Sequence, residues 1–177
     1  PEGAKVRYIY DNDDRLIRVE EEVQVDTLTL ERNSAFVRST SKAREQSDGK
    51  ELVYSGNYLS LNAGLDLAEP AKGAELILSY PAELMEVFHV SPSENGVTID
   101  TSIPGEIRIT ASGNLKRGEA PLAYLMFTAK EQVTGTACVT VDKNSTLTKS
   151  GGEYLFSDLS GVLMDVCLPD YNGDRLT

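Results

Sequence analysis

The residues whose types and spacing could do chemistry lie near the C-terminal end. Asp170, Asn172 and Asp174 alternate along Asp170-Tyr171-Asn172-Gly173-Asp174, and oxygen ligands at positions 1, 3 and 5 of a loop converge on one hard cation, calcium above all. Arg175 stands where the sharp turn of such a loop needs Gly, and Thr177 ends the sequence before the ligands at positions 9 and 12. This incomplete loop should bind calcium weakly or not at all. Elsewhere the inventory is poor. His89 is the sole histidine; it sits between Phe88 and Val90 on an apparent strand, turned to solvent, with no positioned nucleophile or carboxylate to serve. There is no Gly-rich phosphate loop, no His/Cys/Asp metal cluster and no G-x-S-x-G. Carboxylates are many, and nothing marks two of them as a glycosidase pair. The sequence therefore predicts a protein that is not an enzyme. Cys138 and Cys167 are neither a CxxC pair nor near His89, which excludes a zinc site of the usual kind. They form one disulfide or none. The neighbours that alternate with them, Ala137 with Val139 and Val166 with Leu168, look like the buried set, so both sulfurs are expected on outer faces.

The framework that must position these residues follows from composition and periodicity. A chain of 177 residues and 19.3 kDa is one ordinary domain with room for a short appendage, and it buries roughly 70% of the surface of its unfolded chain. Seventeen Lys and Arg against 28 Asp and Glu leave a net charge of -11, which repels nucleic acid phosphates and anionic headgroups. Hydrophobic residues at 40% and a mean hydropathy of -0.27 describe a globular chain, and no apolar run approaches the ~20 residues that span a bilayer. Neither nucleic acid binding nor membrane insertion is expected. The sequence opens at Pro1 without an initiator Met or a basic, apolar leader, so it is expected to be a piece of a longer polypeptide or a processed form.

Periodicity is that of strands almost throughout. Alternation or β-branched enrichment predicts strands at Lys5 to Tyr10, Leu16 to Val25, Asp26 to Leu30, Leu52 to Leu61, Ala74 to Tyr80, Met85 to Val90, Glu106 to Ala111, Leu122 to Ala129, Thr136 to Val141 and Val162 to Leu168. Gly, Pro, Asn and Asp clusters separate them. Only Ser41 to Gln46 and Pro81 to Met85 have any helical character, and both are short. Short strands with turns between them predict an all-β, antiparallel β-sandwich, its core including Leu61, Leu76, Leu78, Tyr80, Val87, Ile107, Ile109, Leu125, Phe127, Val139 and Val166. Within Ala74 to Tyr80, Leu76, Leu78 and Tyr80 alternate with Glu75, Ile77 and Ser79; the charged member assigns the second set to the outer face.

Two resemblances add to this reading. Tyr8-Ile9-Tyr10-Asp11-Asn12-Asp13-Asp14-Arg15-Leu16-Ile17-Arg18-Val19 is similar to one YD repeat of the Rhs type, a β-hairpin in which Tyr-Asp leads a tight turn and Arg-Leu begins the return strand. Asp14 stands where the family usually has Gly. From about Ser55 onward the chain resembles a cohesin, the receptor module of cellulosome-like assemblies. The resemblance is carried by Tyr58-Leu59-Ser60-Leu61-Asn62-Ala63-Gly64-Leu65-Asp66-Leu67, by the run from Lys72 through Leu78-Ser79-Tyr80-Pro81 and Leu84-Met85-Glu86-Val87 to Pro92, and by Gly105 to Ser112, Leu122 to Lys130 and Gly135-Thr136-Ala137. It spans about 115 residues in order. Ala111, where the family has a Tyr, Arg117, where an acidic residue is expected, and Pro121 at the start of a strand depart from the family's contact set, so partner specificity does not carry over. The truncated loop at Asp170 is similar to the opening of a dockerin, the module that cohesins bind.

The cohesin resemblance implies a jelly-roll sandwich and a non-catalytic, scaffolding role: binding a calcium-loaded dockerin through one sheet face, within a modular extracellular or envelope-attached protein. In cohesins an acidic residue on the docking strand contacts the partner, and Glu75 stands at that position, flanked by Ile77 and Ser79. The implied partner is a dockerin-bearing protein, with self-assembly open to a chain carrying both halves. No cofactor is expected in this chain; calcium belongs to the adjoining dockerin-like module. The implied organisation is a YD-repeat-like hairpin at 1–25, a first strand or linker at 26–50, the cohesin-like sandwich at 51–168 and the start of a dockerin-like module at 169–177. A carbohydrate-binding module of a polysaccharide-degrading system is the alternative, because such modules share the architecture. They grip sugars with exposed rings, and Tyr54 and Tyr58, with Tyr124, are the candidates for such a row.

Overall fold

The computed structural model describes residues 4–10, 16–23, 32–40 and 50–169. They form β1 (Ala4–Tyr10), β2 (Leu16–Val23), β3 (Ser34–Ser39), β4 (Glu51–Tyr54), β5 (Tyr58–Leu67), β6 (Ala71–Ser79), β7 (Met85–Pro92) and β8 (Val97–Asp100). Next come β9 (Glu106–Leu115), β10 (Gly118–Ala129), β11 (Gly135–Val141), β12 (Thr146–Lys149), β13 (Gly152–Leu155), β14 (Asp158–Leu159) and β15 (Gly161–Cys167). The described residues contain no helix. Pro81 to Met85 is a turn closed by the Leu84 and Met85 N–H groups donating to the Pro81 carbonyl at 3.0 and 3.1 Å. Ser41 to Gln46 and Asp26 to Leu30 lie outside the described residues.

The strands make two sheets. One runs β1-β2-β14-β3-β5-β10-β7, and the other holds β13, β12, β6, β11, β15 and β4, with β9 on the far edge of β6 and β8 beyond it. All pairs are antiparallel except β14 with β3 and β15 with β4. The hairpin β1–β2 pairs Ala4 with Val23 through Tyr10 with Leu16, and Arg18 joins it to the first sheet opposite Asp158.

Alternation explains the core. Leu59, Leu61, Ala63 and Leu65 of β5 and Leu125, Phe127 and Ala129 of β10 face Leu76 and Leu78 of β6, Ile107 and Ile109 of β9, and Ala137 and Val139 of β11, all buried. Strand periodicity of two sends every second side chain to the same face, so the apolar set of each strand meets that of the opposite sheet. Of the expected core residues, Tyr80 and Val87 are only partly buried and pack on its margin, the Tyr80 ring 5.1 Å from that of Phe127.

At four points the structure departs from the sequence reading or decides between its alternatives. The run Leu52 to Leu61 is two strands in different sheets, parted by a turn in which Gly56 adopts φ +87° and the Asn57 N–H donates to the Tyr54 carbonyl at 3.0 Å. Ser34–Ser39, within the segment read as strand or linker, is an inner strand of the first sheet between β14 and β5. Cys138 and Cys167 do both lie on outer faces, but Cys138 is opposite Leu163, four residues before Cys167 on the same strand. At ~3.3 Å per residue the two sulfurs are too far apart to bridge, and no disulfide forms. Leu168, expected inside with Val166, is 40% exposed because it follows the last paired residue of β15.

The outer side of the first sheet carries a small second core. Ala35 and Val37 point into the sandwich, so Phe36 must point away, yet it is only 5% exposed. Its ring lies over Gly64, the residue opposite it on β5, and the Arg38 guanidinium stacks 3.8 Å above the ring while bonding Glu119 at 2.8 Å. A Cβ on Gly64 would stand 2.5 Å from the Ala120 carbonyl oxygen, 2.7 Å from Phe36 Cζ and 3.0 Å from Pro121 Cα. Two of those atoms are backbone and cannot swing aside. Gly64→Ala is therefore expected to destabilise the fold by about 1–3 kcal/mol, the usual cost of overpacking. Urea unfolding should show the lowered midpoint at unchanged slope.

Candidate functional site

The strand β6 is paired on both edges. Its outer face presents Glu75, Ile77 and Ser79, between the inward Ala74, Leu76 and Leu78. Opposite them on β9 stand Thr110, Arg108 and Glu106, and beyond these on β8 Thr98 and Asp100 face Thr110 and Arg108. Thr146 of β12 flanks Glu75 on the other side and Thr140 of β11 flanks Ser79. The result is a hydroxyl-rich face with one aliphatic side chain, Ile77, in its middle.

The charges on it form one cluster around Arg108. Its Nε donates to Glu106 Oε2 at 2.9 Å and its Nη1 reaches Glu75 Oε2 at 3.4 Å. The hydrogen bond to Glu106, that carboxylate's charge and then Glu75 push the Arg108 guanidinium above its ordinary value. Asp100 is held below the usual carboxylate range by the Ser102 hydroxyl and by the Ser102 N–H, which donates to Oδ1 at 2.9 Å. Both shifts favour the charged forms of Arg108 and Asp100 at neutral pH. Exposed ion pairs contribute little to stability, so the cluster shapes what this face presents rather than whether it folds.

The backbone of β6 at Ile77 lies where β11 has ended and β12 has not yet begun. The turn between them fills the gap. Ser145, 1% exposed, accepts the Ile77 N–H on its Oγ at 2.9 Å, and the Asp142 N–H donates to the Ile77 carbonyl at 2.6 Å. Asp142 Oδ1 in turn accepts the Asn144 N–H at 2.7 Å, which closes the turn as an Asx motif.

The structure thus brings Glu75, Ile77 and Ser79 together on one surface, and adds Arg108, Glu106 and Thr110, which sequence reasoning did not single out. Their signal was the inward alternation of Ile107 and Ile109, which leaves Arg108 and Thr110 outward. Ala111, read against the family's contact set, is 2% exposed and faces the core; Pro121 is in the other sheet. The tyrosines do not form one row. Tyr54 ends β4 in the second sheet, whereas Tyr58 and Tyr124 lie on β5 and β10 of the first, where the Tyr124 hydroxyl is hydrogen-bonded to Ser60 Oγ at 3.0 Å. His89 is exposed on β7 opposite Met126. Asp170, Asn172 and Asp174 lie outside the described residues. Among the described residues no group of three or more His, Cys, Asp or Glu could hold a metal ion.

Solved structures give this architecture a counterpart. A cohesin module from a Clostridium perfringens family 33 glycoside hydrolase superposes with a TM-score of 0.57 at 19% identity, covering 75% of this chain and 98% of that one. The sandwich has the cohesin fold. The seventh type I cohesin of ScaB from Pseudobacteroides cellulosolvens gives 0.60 at 12% identity over 78% of this chain and 94% of that one. The sixth cohesin of scaffoldin B from Acetivibrio cellulolyticus, solved in complex with a mutant of the Cel5 dockerin, gives 0.57 at 12% identity over 78% of this chain and 99% of that one. No protein-family model matches the sequence, and no curated protein matches it. What the cohesin fold shares here is therefore backbone architecture, at sequence identities where individual side chains have diverged.

Ser145→Ala removes the hydroxyl that accepts the Ile77 N–H in this gap. Leaving a buried donor unpaired costs about 1–3 kcal/mol, so the variant should unfold at lower urea. Ser145→Thr, which keeps the hydroxyl, should lose less, and amide exchange of Ile77 should quicken in the alanine variant alone.

Proposed function

We propose that this chain is a non-catalytic protein-recognition module that docks a calcium-loaded dockerin on the face carrying Glu75, Ile77 and Ser79. The observation that carries the reading is the placement of these three residues along the outer face of the doubly paired strand of a cohesin-fold sandwich. Support comes also from the dockerin-bound state of one structural counterpart. Glu75 and the hydroxyls of Ser79, Thr110 and Thr146 supply the polar contacts, and Ile77 supplies the apolar centre. That is the usual division of an interface into an anchor and a polar surround. Catalysis has no part in the reading.

The setting we infer is a modular extracellular or envelope-attached protein. Asp170, Asn172 and Asp174 open a dockerin-like module in the same polypeptide, and the calcium belongs to dockerins rather than to the sandwich. A polypeptide with both halves can associate head to tail, as closed rings or open chains. The carbohydrate-binding alternative built on Tyr54, Tyr58 and Tyr124 loses the single row that would have favoured it.

The test is a binding titration against a panel of dockerins with calcium and with EDTA. At least one dockerin should bind only with calcium, and Glu75→Arg with Ile77→Asp should weaken it by about 2 kcal/mol or more, as expected of a central contact. Calcium added to the 177-residue chain alone should leave its melting temperature unchanged, because three ligands do not complete a loop. A dockerin that binds equally well to the double variant would place the docking surface elsewhere.

A further inference from the structure

The sheet opposite the proposed docking face has its own exposed feature. Tyr58 and Phe88 are 58% and 59% exposed, the two most exposed large hydrophobic side chains among the described residues. Their rings meet edge to face with centroids 4.9 Å apart and planes inclined by 62°. Tyr58 opens β5 opposite Thr128 of β10, and Thr128 is opposite Glu86 of β7, so the two rings join above the intervening strand. Phe88 reaches that position through an irregularity. Phe127 pairs with Val87 and Met126 with His89, which leaves Phe88 as the extra residue of a β-bulge. Bulges of this kind re-aim a side chain. Here the one re-aimed is a phenylalanine, and it is sent into solvent.

The same residue forms one wall of a shallow, open groove along the outermost strand β7. Its floor is apolar, with Met85, Val87, Val90 and Pro104 beside Tyr80 and Phe88, and Glu86, His89, Thr101 and Lys130 supply the polar groups at its margins. An open ring face beside a carboxylate, an imidazole, an ammonium and a hydroxyl is the combination that takes a pyranose. The sugar's C–H face stacks on the ring, and its hydroxyls exchange hydrogen bonds with the polar groups. With planes at 62° the two rings cannot make the flat strip that a crystalline polysaccharide needs; they suit one twisted chain. The net charge of -11 disfavours uronic or sulfated glycans.

We propose that Tyr58, Phe88 and the β7 groove form a second binding surface, for a single chain of neutral, pyranose-based glycan, separate from the face that carries Glu75. The experiment is calorimetric titration of the 177-residue chain with hexasaccharides of β-linked glucose, xylose, mannose and N-acetylglucosamine, with sedimentation velocity run alongside. At least one hexasaccharide should bind, and Phe88→Ala and Tyr58→Ala should each weaken it about tenfold or more. Both rings are exposed, so neither change should lower the melting temperature appreciably. Glu75→Arg, in the other sheet, should leave glycan affinity unchanged, which separates this surface from the dockerin reading. Failure of all four sugars to bind, or binding indifferent to Phe88→Ala, overturns the proposal. So does a concentration-dependent dimer that Phe88→Ala abolishes in the absence of glycan binding, since the rings would then be an interface between copies.

Discussion

The organisation of the second sheet depends on how one strand, β6, satisfies its backbone along an edge that two other strands divide between them. β11 covers Leu78 and Ser79, β12 covers Gly73 to Glu75, and Ile77 falls between. A buried peptide group left there without partners would cost as much as several good contacts return. The turn 142–145 resolves the gap with a main-chain donor and the Ser145 hydroxyl. Because that turn is tied to Ile77, β12 and β13 are held in register beside β6 while β11 leads away to β15. The placing of Thr146 beside Glu75 and of Thr140 beside Ser79, on either side of the central isoleucine, follows from this division.

Much of this was legible in the sequence and some of it could not be. Strict alternation around Leu76 and Leu78, Ile107 and Ile109, and Leu125 and Phe127 gave strand type and facing together, because each of these strands has one buried and one wet face. The strands that escaped notice are short or lack that contrast. Thr146–Lys149 and Gly152–Leu155 offer four residues each, and Asp158–Leu159 only two. Ser34–Ser39 was obscured because Phe36 is buried on the outer face, so three consecutive residues, Ala35, Phe36 and Val37, are inside and the period of two disappears. The break at Ser55 and Gly56 was hidden for a different reason, since Val53, Leu59 and Leu61 keep the same phase on either side of the turn that transfers the chain from one sheet to the other.

Site legibility divides along the same line. The outward set Glu75, Ile77 and Ser79 needed only the alternation within one strand. The ion cluster around Arg108 needed the register between β6 and β9, which is a long-range property that no local pattern encodes. The bulge that exposes Phe88 is likewise a mismatch in count between β7 and β10, invisible in either strand alone. The separation of Cys138 from Cys167 also emerges only once β11 and β15 are aligned.

The parallel pairing of β15 with β4 has a consequence for how the chain is made. Met164 to Cys167 lie beside Glu51 to Tyr54, so the last strand of the sandwich in chain order must find one of its earliest. Until it does, β11 has an open edge and the core lacks Val162, Met164 and Val166. Contacts this distant in sequence form late, since the loop must close before they return any free energy. On the ribosome the sandwich therefore stays open until its C-terminal strand has emerged, and a nascent chain halted before β15 presents unpaired strand edges and an unfilled core to its surroundings.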